Sequence, residues 1–228
     1  MPFFFFDSTM LLLIPAILLS LYAQHKVKSA YRKFSEIGNS AGISGAQTAA
    51  EILRRNGIYD VDIEEVPGTL SDHYDPAARK VRLSSENYHG RSIAAMSIAA
   101  HEVGHAIQHN TGYAPLSWRH AILPVANLGS TLAFPLLLAG MIFSFKSLID
   151  IGILFFAGAV LFQMVTLPVE FNASSRALRQ INDIGLVPRS EVSLAKKVLN
   201  AAALTYVAAA AVAVLELVRL LILRNASE

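Results

Sequence analysis

The chain has 228 residues, of which 54% are hydrophobic and 16% charged, with a mean hydropathy of +0.45. An average soluble chain carries about 25% charged residues, so neither a disordered chain nor an ordinary water-soluble domain fits. The formal net charge of +2 is too slight a bias to expect nucleic acid as a partner, and the absence of cysteine excludes a disulfide framework, a cysteine-held zinc and a thiol nucleophile.

In chain order, Phe3 to Ala23 is an apolar run whose one charge is Asp7. The basic cluster Lys26, Lys28, Arg32 and Lys33 follows this run instead of preceding it. That polarity is wrong for a signal peptide and right for an uncleaved membrane anchor with its N-terminus outside. Segment 24–120 is polar and long enough for a small domain. Within it, Ala46 to Asn56 reads as a helix ended by Gly57. Ile58 to Val66 is strand-like before the turn signal Pro67-Gly68, Leu70 to Tyr74 is a candidate second strand, and Lys80 to Leu83 a third. Ser92, or Gly90 before it, caps a helix running to about His109, with Gly112 beyond its end.

Three further apolar runs follow: Ala121 to Phe145, Ile151 to Val169, and Val198 to Leu215, the last continuing past Glu216 and Arg219 to Leu223. A span needs roughly 20 apolar residues, so all four runs qualify. Pro168 suits a helix start or a kink, and the helix it opens runs to about Ile184 with Gly185 as its stop. Glu216 and Arg219 fall on one helical face and either pair there or lie at the membrane surface. The predicted organisation is an N-terminal membrane helix (1–23), a small polar domain (24–120), a transmembrane hairpin (121–169), a connecting helix (170–197) and a C-terminal membrane helix (198–228). The fold class is therefore a mainly α membrane protein of about four transmembrane helices with a small α+β domain holding a short three-strand sheet. Segments 24–120 and 170–197 fall on one side of the bilayer and both are basic, which assigns them to the cytosol.

The helix closing the polar domain contains His101-Glu102-Val103-Gly104-His105. Histidines four apart stand one turn above each other, so both imidazoles reach one metal ion. Glu102 lies beside them, placed to take a proton from a bound water. With 7 histidines in 228 residues, such a motif arises by chance in about one chain in a hundred. Nitrogen and carboxylate ligands without sulfur favour zinc, one ion per chain.

A catalytic zinc needs a third protein ligand. His109 lies a further turn along and would struggle to converge with both others on a straight helix; a solvated helix-end histidine is its simpler reading. His25, His89 and His120 sit near membrane or helix boundaries. Glu170, directly after the third apolar run, is the stronger candidate, since a carboxylate at a membrane boundary is costly without a partner. Its alternative is a helix N-terminal glutamate interacting with the dipole. The sequons at Asn172 and Asn225 are set aside, the first because it falls on a predicted cytosolic helix.

The chain resembles the YugP-type neutral zinc metallopeptidases of bacterial membranes over essentially its whole length. The likeness runs from Phe5-Phe6-Asp7 through Val66 to Pro76, Val81-Arg-Leu-Ser84, Tyr88-His-Gly-Arg-Ser92 and Ala100 to Ala106, and ends with Ala202-Ala-Leu-Thr-Tyr-Val-Ala208. More distantly it is similar to the HtpX and CAAX-prenyl-protease group, in which a glutamate on an E-x-x-A-D-like helix supplies the third ligand. Glu170 with Ala173 fits that pattern, but Ser174 stands where that group has aspartate, which weakens the expectation of a polar group supporting a zinc histidine.

The expected function is a membrane-embedded endopeptidase acting on peptide or membrane-protein substrates at the cytosolic face of the cell membrane. His101, His105 and Glu170 hold the metal and Glu102 is the catalytic base. The strand Lys80–Leu83 is expected to offer an edge to an extended substrate. His73 is either an oxyanion donor or, more simply, a turn histidine bonded to Asp72 or Asp75, and Tyr206 reads as a packing residue. Two other classes stay open: a non-catalytic zinc-stabilised membrane scaffold, and a transporter using Glu216 and Arg219. The oligomeric state is not legible.

Overall fold

The computed structural model describes residues 8–226. The opening residues 1–7, with Asp7 and the Phe5-Phe6 pair, and Ser227 of the second sequon lie outside the described residues. The elements are a 3-10 turn (Ser8–Leu13), α1 (Ile14–Ser35), α2 (Gly45–Arg55), β1 (Asp62–Val66), β2 (His73–Asp75), β3 (Lys80–Ser84), α3 (Ser85–His89), α4 (Ile93–Asn110), α5 (Ala114–Ile142), α6 (Lys146–Asp183) and α7 (Arg189–Ala226). Among the described residues the molecule is mainly α with one small mixed sheet, and four helical segments are long and apolar enough to cross a membrane. The chain divides into two compact units.

One unit comprises the described residues through Ala23, Ser117–Pro168 and the chain from Thr205 onward. Its surface is apolar, with Phe134, Ile142 and Leu154 each more than 60% exposed, as expected for side chains facing lipid. The α5–α6 hairpin packs closely through small residues: a Cβ on Gly129 would stand 2.3 Å from the Phe155 carbonyl oxygen. Glu216 and Arg219 pair within α7 at 3.0 Å, and Tyr206 is half-buried on the same helix. The predicted boundary at 169/170 falls inside α6, which runs unbroken through Pro168. Pro168 therefore neither starts a helix nor ends one. Likewise α1 continues past Ala23 to Ser35, so the basic cluster extends the first helix.

The second unit holds Gln24–Leu116 and Val169–Leu204. Ser44 caps α2 through a reciprocal capping box with Gln47. Gly57, at φ +67°, turns the chain in the left-handed region that glycine adopts freely. Of the run from Ile58 only Asp62–Val66 is strand, the second strand is shifted to His73–Asp75, and α3 is an element the sequence reading did not contain. Ser92 caps α4, its hydroxyl accepting from Ala95 N. The sheet order is β1-β3-β2, with β1 parallel and β2 antiparallel to β3. This corrects one expectation: Lys80–Leu83 lies in the central strand, both of its edges already hydrogen-bonded, and cannot receive a substrate strand. The core beneath is built from Ile52, Leu53, Val81, Leu83, Ile93, Met96 and Val103 with Ile181 and Leu199 from the last two helices. Burying these side chains contributes about 1.5–3 kcal/mol each, which fixes α4 against the second half of α6.

Candidate metal centre

Helix α4 presents His101 and His105 on one face, their ring centroids 4.8 Å apart and their planes nearly perpendicular. Helix α6 brings Glu170 to the same point. Its Oε2 lies 3.2 Å from His101 Nε2 and 3.5 Å from His105 Nε2, and one ligand atom from each residue falls within 4.8 Å of the others. Donors held at 2.0–2.1 Å in a tetrahedron lie roughly 3.3 Å apart. Two imidazole nitrogens and one carboxylate oxygen at these spacings therefore suit a zinc ion with one position left open. Glu170 is only 2% exposed, and a carboxylate so buried needs cationic or metal partners.

The close approach of the two helices has a local cause. A Cβ on Gly104 would stand 2.6 Å from the backbone oxygen of Ala173 and 3.1 Å from its carbonyl carbon. Only a residue without Cβ lets α6 lie this near α4, and Ala173 and Ala177, both fully buried, keep the other side of the contact thin. Glu170 is one turn before Ala173, so this contact sets its reach to the histidines.

Both histidines are held from behind. Ser174 Oγ is 3.1 Å from His101 Nδ1. A hydroxyl thus supports the His101 ring, against the expectation drawn from the serine at this position. Gln108 Oε1 lies 3.0 Å from His105 Nδ1. The Gln108 amide nitrogen donates to the Val169 carbonyl at 2.8 Å and to Asn172 Oδ1 at 3.1 Å, while Arg176 Nε donates to that same Asn172 oxygen at 2.7 Å. Those acceptors fix the Gln108 amide with its oxygen towards His105. An amide oxygen only accepts, so the neutral His105 ring carries its proton on Nδ1 and offers the Nε2 lone pair to a metal. Ser174, able to donate or accept, leaves the His101 tautomer free to adjust.

Burial opposes a charge on His105, but the Glu170 carboxylate outweighs it and raises the imidazole above its ordinary histidine value. Glu102, buried on α4 at 8% exposure, makes no hydrogen bond to a described residue, so its carboxylate lone pairs remain available. The other candidates stand apart. His73 is exposed, with Nδ1 2.8 Å from the Ser71 carbonyl oxygen rather than bonded to either neighbouring aspartate. His109 is not simply solvated at the helix end, since its Nδ1 meets Tyr74 Oη at 2.8 Å. Neither belongs to the three-residue cluster. Gly104, Gln108, Asn172 and Ser174 carry structural duties at this centre that the motif did not announce. Only the i, i+3 spacing of Gln108 from His105 hinted at one of them.

Comparison with known proteins places the chain in a family. A family described as "Putative neutral zinc metallopeptidase" matches residues 9–225. The "Putative membrane protease YugP" of Bacillus subtilis (strain 168) is 54% identical over 208 residues, which cover 91% of this chain and 92% of that protein. No solved structure matches the chain. A match spanning nearly the whole chain, with the histidine–glutamate cluster at its centre, makes this protein a member of the family described as putative neutral zinc metallopeptidases.

Proposed function

We propose that the protein is a membrane-embedded, zinc-dependent endopeptidase that hydrolyses peptide bonds of membrane or unfolded proteins. The observation that carries this reading is the convergence of His101, His105 and Glu170, with ligand atoms inside 4.8 Å, next to the unengaged carboxylate of Glu102. His101, His105 and Glu170 would hold one zinc per chain. When bound, the ion supplies an acidified water and a Lewis acid for the scissile carbonyl. Glu102 would act as the base, taking a proton from the attacking water and passing it to the leaving amine nitrogen. Gln108 and Ser174 hold the two rings in line, and burial of Glu170 keeps competing solvent off the ligand set.

The basic residues of segments 24–120 and 170–197 support a cytosolic placement of the centre. The chain has no cysteine, so a Tyr59→Cys variant, at a position 82% exposed, tests this directly. An impermeant maleimide should label it only after the membrane is opened.

The activity is tested with Glu102→Gln and a fluorescent unfolded casein. The wild type should cleave it, and the variant should retain zinc but lose cleavage by at least 100-fold. A chain that binds zinc but cleaves nothing in either form would instead be a zinc-stabilised membrane scaffold.

A further inference from the structure

The second half of α6 and the first half of α7 leave a cleft between them that the proposed chemistry does not use. Its volume is about 640 Å³, within the range of small-molecule sites. Three cations line it, Arg179 from α6 with Arg189 and Lys196 from α7, and no carboxylate does. None of the three forms an ion pair with a described residue; Arg179 makes only a 3.4 Å bond to the Ser175 carbonyl oxygen. The nearest acid on α7, Glu191, is engaged elsewhere and accepts from Ser40 N at 3.0 Å. Three unneutralised cations around one concavity mark an anion site.

The cleft is polarised along its length. From Phe171 to Asn182 it follows α6 for about 16 Å. Phe171 and Ala203 line the end nearest the apolar runs, which finish at Val169 on α6 and begin at Val198 on α7. Arg179, Arg189 and Ser193 line the end furthest from them, with Leu178 and Lys196 between. Both helices are long and apolar enough to span a bilayer. A ligand that satisfies the whole cleft is anionic at one end and apolar at the end towards the membrane-spanning segments.

We propose that this cleft binds the headgroup of an anionic phospholipid. The phosphate sits among Arg179, Arg189 and Lys196, hydroxyl and amide groups such as Ser193 complete its shell, and the acyl end leaves past Phe171 and Ala203. Basic pockets between membrane helices recognise acidic lipids in this way, each cation contributing about 1 kcal/mol, or roughly five-fold in affinity. An acidic peptide would satisfy the cations but not the apolar end. The site is independent of peptidase activity. It does touch the metal centre, since Ser174, bonded to His101, also lines the cleft.

Native mass spectrometry of the full chain in detergent tests this, titrated with phosphatidylglycerol and, separately, phosphatidylcholine. The wild type should retain one phosphatidylglycerol per chain in clear preference to phosphatidylcholine. Arg179→Gln, Arg189→Gln and Lys196→Gln should each weaken that binding about five-fold, and the triple variant on the order of 100-fold. Lys197→Gln, which does not line the cleft, should leave it unchanged. Circular dichroism and zinc content check that each variant is folded. Equal retention of the two lipids, or undiminished binding in a folded triple variant, overturns the proposal. So does displacement of the lipid by equimolar inorganic phosphate or poly-glutamate, which would assign the cleft to a free anion or to an acidic polypeptide.

Discussion

Replacing Gly104 by alanine adds one methyl group, 2.6 Å from a backbone oxygen of α6. Ordinary contact begins near 3.4 Å, so one helix must retreat by about 0.8 Å. The obstacle is main chain within a helix, and no side-chain rotation relieves it. Overpacking of this kind costs about 1–3 kcal/mol, several degrees of melting temperature for a chain of this length. The larger effect falls on Glu170, one turn away on the moving helix. Metal–ligand distances tolerate about 0.2 Å, so a shift several times larger takes the carboxylate out of the ligand set unless the helix bends. Zinc affinity, read by chelator competition on the detergent-purified protein, should fall at least 10-fold, with any proteolysis lost alongside. Gly158→Ala is the control. Its Cβ would meet only a flexible Val125 methyl at 3.3 Å, and zinc binding should not change. Gly104→Ala protein with wild-type zinc affinity would refute the claim that this contact sets the reach of Glu170.

Gln108→Leu should weaken zinc binding about 10- to 100-fold, as loss of a partner behind a metal-bound histidine does. Gln108→Glu, which keeps an acceptor for His105 Nδ1, should recover part of that loss. Nitrogen NMR of the metal-free protein at high pH should show the His105 proton on Nδ1 in the wild type, and a mixture of tautomers in the leucine variant. Ser174→Ala should cost less than Gln108→Leu, because a hydroxyl does not impose a tautomer on His101. The raised titration of His105 gives the metal-free fold stability that is fully present below about pH 6.5 and lost as pH rises through the raised value. Zinc requires the deprotonated ring, so its affinity should climb across that window. A chelator competition that gives the same affinity at pH 6 and pH 8 would contradict the assignment of His105 as a ligand.

The parts of this molecule set by local sequence were legible. Hydropathy marks the four long helices, and the signals of Gly57 and Ser92 place the end of α2 and the start of α4 within a residue or two. The histidine motif puts His101 and His105 on one helix face from spacing alone. What escaped depends on partners distant in the chain. Strand order is one case: nothing local to Lys80–Ser84 says that Asp62–Val66 will pair with it in parallel and close its free edge. Ser174 is another, because a serine replacing an aspartate reads as a loss until the fold sets its hydroxyl 3.1 Å from His101. Pro168 reads as a boundary in the local code, yet α6 passes through it, since a long apolar helix tolerates the missing hydrogen bond. The small residues Gly104, Ala173 and Ala177 announce nothing in the sequence, because their partners become visible only when the two helices are seen together.

The most direct test of the account is the zinc content of the purified full chain beside His105→Ala and Glu170→Ala, with helical content measured to confirm folding. One zinc per wild-type chain, absent from both folded variants, is the predicted result. Zinc retained in Glu170→Ala, or absent from a zinc-replete wild type, would contradict the ligand set on which the peptidase reading rests.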